Sequence, residues 1–527
     1  MKPSDLGTLF EDLVDRGVRT VAELDRPLDI APDFGTTYTM ADLAGLVRNA
    51  AGWLHAAGVG PGDRVAVVKE NHWDYVLLAA AAARLGAVPA LLSDHLPPQT
   101  LQVLLKRLDP ALLVTSTGVL DNARDDETDL MGFGRRTLVL DGRYPGAIDL
   151  AALRGTRPPG FVRRAPDAPL IINHTSGTTG TPKLVLHTAE TLIHQLAARE
   201  AQRVPVLSSR SCDTVASAIA YCHGRAVPWT MSVLWLAPEK VVVIGSGSPE
   251  ALFTHRPTTV EALPSVYVRW QGLTRVPGNP FEDVRLYVST FDAMHPPTVR
   301  AFLGASRRRH PLWVQVWGQT ETGPMTFRFL TRRSVASRAD RHPTTRNLGR
   351  PVPGRTRLKV VDPRTFQEVP AGRPGLVLVR TSARCVDYVG ESERYTAKLS
   401  GGWWNSGDVG VRTRTGSYLL LDREVDVIPG QSCVELEDVI EDRVPSVVEC
   451  VVLGTPGQLP VPVVVTTTGA LDPAEWTAAV RDLPALADPV VFTWDRVPRT
   501  GTGKVRRMEL RALLHRGPAT FGTGHWT

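Results

Sequence analysis

The chain has 527 residues, 43% of them hydrophobic and 22% charged. That is the balance of a soluble globular protein, and it is too long for one small core, so two or more domains are expected. The formal net charge is +6, a small and scattered excess that argues against a nucleic-acid binder and suits anionic nucleotides.

Taken in order, residues 40–57 carry Leu43, Leu46, Val47, Ala50, Trp53, Leu54 and Ala57 on one helical face. Residues 63–68 read as a strand, 73–85 as a second helix, 87–92 as a second strand, and 101–105 lead toward a third strand near 112–116. Helices alternating with short β-rich runs predict an α/β domain with largely parallel sheets. Residues 121–164 read as a polar connection with short apolar islands. Beyond it, 169–172 is an apolar strand, 192–202 a helix and 241–244 a strand. That strand ends at Gly245-Ser246-Gly247-Ser248, which is either a second phosphate cradle or, the favoured reading, a plain turn. Residues 284–289 and 312–316 are further strands, and 376–380 with 418–421 suggest a smaller β-rich region. A boundary is expected at 422/423, followed by a compact unit over 423–515 with helices at 435–442, 472–481 and 508–514 and strands at 447–453, 461–466 and 490–493. Residues 516–527 read as a flexible tail.

The five cysteines show neither metal-ligand spacing nor a paired framework, which favours a reducing, cytoplasmic setting. No apolar signal core opens the chain. The greasiest run, 76–92, is interrupted by Arg84, Gly86 and Pro89, so no membrane association is expected.

The stretch that carries chemistry is His174-Thr175-Ser176-Gly177-Thr178-Thr179-Gly180-Thr181-Pro182-Lys183. A tight Gly/Ser/Thr loop turns several backbone N–H groups toward one point, its hydroxyls add donors, and Lys183 adds a positive charge. The alternative is a polar surface turn. The Walker spacing is absent. Three further segments follow: Trp317-Gly318-Gln319-Thr320-Glu321, Trp404-Asn405-Ser406-Gly407-Asp408, and Pro498-Arg499-Thr500-Gly501-Thr502-Gly503-Lys504. Together, and in this order, the four resemble the signature elements of the adenylate-forming superfamily, which includes acyl-CoA synthetases. Residues 60–67 and 84–89 also fit, and the resemblance spans 36–514.

The resemblance implies a large N-terminal domain of α/β layers with a small β-barrel-like subdomain, plus a small mobile α+β C-terminal domain. It implies ATP, magnesium and coenzyme A as cofactors, and a monomer or homodimer. In the implied reaction a carboxylate attacks the α-phosphate of ATP, giving an acyl-adenylate, and a thiol then displaces AMP. Such transfers rest on positioning and charge neutralisation. Thr175, Ser176, Gly177, Thr178, Thr179, Gly180 and Lys183 would grip the β- and γ-phosphates. Glu321 would hold magnesium, and Thr320 would hydrogen-bond the α-phosphate. Asp408 and Arg423 would serve the ribose. Asp292, Ala293, Trp317, Gly318 and Gln319 would complete the nucleotide site. Lys504 would place an ammonium where negative charge builds. Taken singly, Glu321 reads as a helix start, Asp408 as a turn residue and Lys504 as a solvated basic turn; the ordered set favours the roles just given.

Two segments depart from the family pattern. The hinge reads Asp422-Arg423-Glu424-Val425-Asp426-Val427-Ile428-Pro429-Gly430, with stiff Val425 at the usual pivot. Ser289-Thr290-Phe291-Asp292-Ala293 replaces two glycines by Thr290 and Phe291, which crowds that wall. His174 stands where Tyr or Phe is common. These departures leave open an enzyme that runs only one half-reaction, working with a partner ligase, or one that loads an acyl carrier protein instead of coenzyme A. A silent nucleotide-binding homologue is the non-enzyme alternative. No aspartate matches the one that pairs an amino-acid amine, so a bulky hydrophobic, non-amino carboxylic acid is expected, with His223, Trp229 and Phe291 in its pocket wall.

Overall fold

Short unbroken apolar runs and helical apolar faces in the first 260 residues build the strands and helices of two sheets. The computed structural model describes residues 2–175, 181–292, 294–336, 346–423, 432–454 and 458–515. Its contacts divide the chain into two units: Met1–Ala262 with Thr320–Gly323 and Ser382–Ala397, and Leu263–Gln319 with Pro324–Thr381 and Lys398–Thr527. The expected boundary at 422/423 adjoins residues 424–431, which lie outside the described residues.

In the first unit, an eight-stranded sheet runs Asp387–Tyr388, Leu184–Thr188, Pro169–His174, Val88–Ser93, Arg64–Lys69, Leu112–Thr115, Arg136–Val139, Ile148–Asp149. Its central strands are parallel, and Val65 to Val68 and Leu112 to Val114 are at most 1% exposed. That continuous burial is what a parallel sheet covered on both faces requires. A second group pairs Val21–Leu24, Lys240–Val243, Thr214–Ala218 and Thr259–Ala262 in parallel. The helix Asp74–Arg84 is alanine-rich and buried on nearly every side, as an all-round apolar helix must be. Helix Met40–Ala56 starts at a capping box in which Thr39 and Asp42 exchange side-chain and backbone hydrogen bonds. Residues 121–164, expected as a polar connection with short apolar islands, instead carry the end of helix Thr117–Asp125 and two strands, Arg136–Val139 and the edge strand Ile148–Asp149. The helix expected at 192–202 begins as a π-helical stretch, Glu190–Ala197, and closes with Ala198–Glu200. The Gly245–Ser248 segment is a turn: the Ser246 N–H and hydroxyl both donate to Asp25, at 2.9 and 2.6 Å.

In the second unit, the parallel strands Leu286–Ser289 and Leu312–Gln319 pack over a nest of rings from Tyr267, Phe281, Tyr287, Phe302 and Trp313, with centroids 4.6–6.5 Å apart. Antiparallel strands Thr356–Val361, Pro374–Thr381, Trp403–Arg412 and Tyr418–Arg423 form the β-rich region. Among the described residues these strands form an open layer rather than a closed barrel. The segment after residue 432 has its own three-stranded sheet, Val447–Leu453, Val461–Thr466 and Val490–Phe492, with cores around Ile440 and Val464 on one face and Leu510 and Val463 on the other.

Candidate active site

The strands Pro169–His174 and Leu184–Thr188 are antiparallel neighbours, so the threonine-rich loop is their hairpin connection. Its two ends are pinned together. The Thr175 N–H donates to the Lys183 carbonyl at 3.0 Å, and the Lys183 N–H donates to Thr175 Oγ1 at 3.0 Å. Ser176, Gly177, Thr178, Thr179 and Gly180 lie outside the described residues. The Lys183 ammonium stands 5.6 Å from the centroid of the Tyr388 ring, a cation–π distance.

Thr320 and Glu321 occupy the short turn between the strands Leu312–Gln319 and Gly323–Leu330. This is a strand-to-strand turn and not a helix start. Three contacts in the first unit hold it. His187 Nε2 donates to the Thr320 carbonyl at 2.8 Å. The Cys385 N–H donates to the Glu321 carbonyl at 2.7 Å, and the Tyr388 hydroxyl donates to Glu321 Oε1 at 2.6 Å. Glu321 is 7% exposed, and the Tyr388 hydroxyl bonds one of its two carboxylate oxygens, Oε1. Magnesium is held by one or two carboxylates plus phosphate oxygens, so this single, oriented carboxylate fits it. Among the described residues no cluster of three His, Cys, Asp or Glu is placed to hold a metal by itself.

Burial holds both histidines of this region neutral. The His187 pKa is lowered by burial, against the Thr320 carbonyl and the Glu321 charge. His174 falls to about 4 for the same reason, with the Thr175 carbonyl opposing. His174 Nδ1 donates to the Thr175 carbonyl at 2.8 Å and Nε2 accepts from the Ser93 N–H at 3.1 Å, so both ring nitrogens are committed to the backbone. His223 is 9% exposed and meets the His174 ring edge-on at 5.8 Å. Trp229 lies in the helix Ala226–Leu236 and is 1% exposed, as a core residue would be.

The second unit carries the remaining candidates. Gln319 Nε2 donates to Asp408 Oδ2 at 3.0 Å and to the Ser406 carbonyl at 2.7 Å, while Trp404 Nε1 donates to Gln319 Oε1 at 3.3 Å. The two family segments around Gln319 and Asp408 are therefore joined directly, with Asp408 only 4% exposed. Trp317 and Gly318 are half-buried on the strand leading to Gln319. Phe291 has φ +80°, a left-handed backbone that non-glycine residues adopt only at a cost. Asp292 is exposed. Ala293 and the Arg423 side chain lie outside the described residues, as does the hinge over 424–431. Lys504 closes a tight turn in which the Thr500 N–H donates to the Lys504 carbonyl at 2.8 Å and the Lys504 N–H donates to Thr500 Oγ1 at 3.2 Å.

The structure adds His187, Tyr388 and Cys385 to the site. No sequence spacing reveals them, because each meets Thr320 or Glu321 from more than sixty residues away.

A sequence model of the AMP-binding enzyme family matches residues 20–386. The chain is 38% identical to a 3-amino-2-hydroxy-4-methoxybenzoate diazotase of Streptomyces cremeus, over 98% of this chain and 96% of that protein. It is 26% identical to 4-coumarate–CoA ligase 2 of Oryza sativa subsp. japonica, over 94% and 90%. Its fold matches the crystal structure of an anthranilate CoA ligase in complex with anthranoyl-AMP, with a TM-score of 0.80 at 21% identity, covering 98% of each chain. The four ordered motifs, the shared fold and a relative similar from end to end agree, and the chain belongs to the adenylate-forming family of AMP-binding enzymes.

Proposed function

We propose that this enzyme uses ATP to activate nitrite and transfers the nitrogen to the amine of an aromatic amino acid of the aminobenzoate type, giving a diazonium. The observation that carries this reading is the 38% identity, over nearly both whole chains, to a diazotase that acts on an aminohydroxybenzoate. A diazonium requires nitrogen at the oxidation level of nitrous acid, and nitrous acid is an oxyacid. The family's first step therefore applies to it unchanged. A nitrite oxygen attacks the α-phosphorus and pyrophosphate leaves. The amine nitrogen then attacks the nitrosyl nitrogen, AMP leaves with the bonding pair, and the resulting N-nitrosamine takes up a proton and loses water.

In this reading Thr175, the loop after it and Lys183 hold the β- and γ-phosphates, and Thr320 meets the α-phosphate. Magnesium neutralises phosphate charge when bound, and Glu321 supplies its protein ligand. Tyr388 orients the Glu321 carboxylate, and His187 fixes the peptide that carries both residues. Asp408, oriented by Gln319, receives the ribose hydroxyls, and Lys504 supplies the transition-state cation. His223 and Phe291 wall the aromatic ring.

The second reading is ligation of an aromatic acid to coenzyme A. It is favoured by the likeness to the rice 4-coumarate ligase. The two readings are separated by incubating the protein with ATP, magnesium and 3-aminobenzoate, once with ¹⁵N-nitrite and 2-naphthol and once with coenzyme A. A labelled azo dye formed with AMP supports the first reading. A thioester without dye supports the second.

A further inference from the structure

We infer that Asn173 is the substrate-positioning residue that receives an N–H of a neutral aromatic amine, an inference that rests on the reading that the substrate carries such an amine. Asn173 lies on the strand Pro169–His174, one residue before the hairpin motif begins. It is 1% exposed. Its Nδ2 donates to the Cys222 carbonyl at 3.0 Å. That bond fixes the amide orientation, since the flipped amide would set two oxygens against each other. Oδ1 then points away from Cys222 and has no hydrogen-bond partner. A buried acceptor without a donor costs about 1–3 kcal/mol, and an apolar residue on this strand would avoid the cost. Retaining the amide there makes sense where a ligand completes it.

The direction of Oδ1 is given by Gly224. A Cβ added to Gly224 would lie 3.8 Å from Asn173 Oδ1 and 3.4 Å from Thr320 Cγ2. The amide oxygen and the Thr320 side chain therefore both lie beside the bare backbone of Gly224. Thr320 is the residue assigned above to the α-phosphate, so a group held at Oδ1 is placed beside the reacting centre. Burial keeps the adjacent His174 in its neutral form, and Asn173 adds no charge. An amide acceptor suits a neutral arylamine, which is the nucleophilic form. One N–H given to Oδ1 leaves the nitrogen lone pair free to attack. A carboxylate in its place would favour the unreactive ammonium.

The test is binding by the full chain, measured calorimetrically with ATP analogue and magnesium present, using 3-aminobenzoate, 3-hydroxybenzoate and benzoate as probes. The wild type is expected to bind 3-aminobenzoate at least tenfold more tightly than benzoate. Asn173→Val is expected to reduce that preference to less than threefold while leaving benzoate affinity unchanged. Gly224→Ala retains the Asn173–Cys222 bond and fits sterically, but sets a methyl group beside Oδ1 and Thr320. It is expected to reduce the same preference, and it tests the inference should Asn173→Val fail to fold. A folded Asn173→Val that keeps the tenfold preference overturns the inference, as does a wild type that binds all three probes alike or prefers the phenol. Because the readout is binding, an intact amine preference without any diazonium product overturns the proposed reaction and leaves the role of Asn173 standing.

Discussion

Phe291 occupies a backbone conformation built for glycine. At φ +80° the strain is on the order of 1–3 kcal/mol, retained because the ring is half-buried against its surroundings. Phe291→Gly relieves the strain and loses the ring; Phe291→Ala loses the ring and keeps the strain. The glycine variant is therefore expected to be more stable than the alanine variant by about 1 kcal/mol, read as the difference in denaturant midpoint at equal slope. Equal stability would mean that the left-handed turn relaxes without the phenyl group. Tyr388 makes a second claim at this scale. Burial, followed by the neighbouring Glu321 charge, raises its pKa well above the ordinary value, so the phenol stays protonated and donating throughout the working range. Tyr388→Phe is expected to lower the ATP-dependent rate by about tenfold to a hundredfold, the worth of a hydrogen bond to a carboxylate, and to lower the melting temperature by a few degrees, since the buried Glu321 carboxylate loses its donor. The motif residues themselves could be named from sequence because each sits in a short ordered pattern. Asn173, His187 and Tyr388 could not, because their meaning lies in long-range contacts that periodicity does not encode.

Among the elements, the hairpin Pro169–Thr188 does most of the positioning: one arm delivers Asn173 and His174, the other His187, and the turn between them carries Thr175 and Lys183. The parallel core strands were legible because burial on both faces leaves an unbroken apolar run. The edge was not. Helix Thr117–Asp125 buries only Val119, Leu120 and Ala123, and strand Arg136–Val139 begins with an exposed residue, so both read as polar connection. The π-helical stretch at Glu190–Ala197 keeps the apolar content of an α-helix while its wider turn shifts which residues face inward, a change that composition does not register. The turn before Lys504 is an element with a sharp requirement. Gly503 has φ +76°, and a Cβ there would approach Ser265 Oγ to 2.0 Å. Gly503→Ala is therefore expected to displace the Lys504 turn and depress adenylation by at least tenfold while thermal unfolding changes little; unchanged adenylation would show that the turn is not seated on Ser265 when the enzyme works.

At the scale of the whole molecule, the segment after residue 432 is tied to the rest of its unit by charge. His295 Nδ1 lies 2.6 Å from Asp438 and 3.4 Å from Glu441, and Arg300 pairs with Asp442 and Arg346 with Glu435. Burial acts to lower the His295 pKa, but the Glu441, Asp438 and Glu437 carboxylates outweigh it and raise the value to about 10. A raised histidine stabilises the folded form fully below its ordinary value of 6.5, and that contribution is lost as pH climbs toward 10. The wild-type melting temperature is expected to fall across that window by several degrees more than that of His295→Gln; parallel curves would show that the histidine is not charged at this contact. The small α+β lobe and the α/β layers were legible from sequence, whereas this ionic seam was not, since its partners are about 90 to 140 residues apart. The most direct test of the account as a whole is mass analysis of the products formed from ATP, magnesium, ¹⁵N-nitrite and 3-aminobenzoate. The account predicts AMP, pyrophosphate and a diazonium carrying one heavy nitrogen, in equal amounts and dependent on Lys504. Turnover of ATP that ignores nitrite and yields only an acyl-adenylate or its thioester would contradict it.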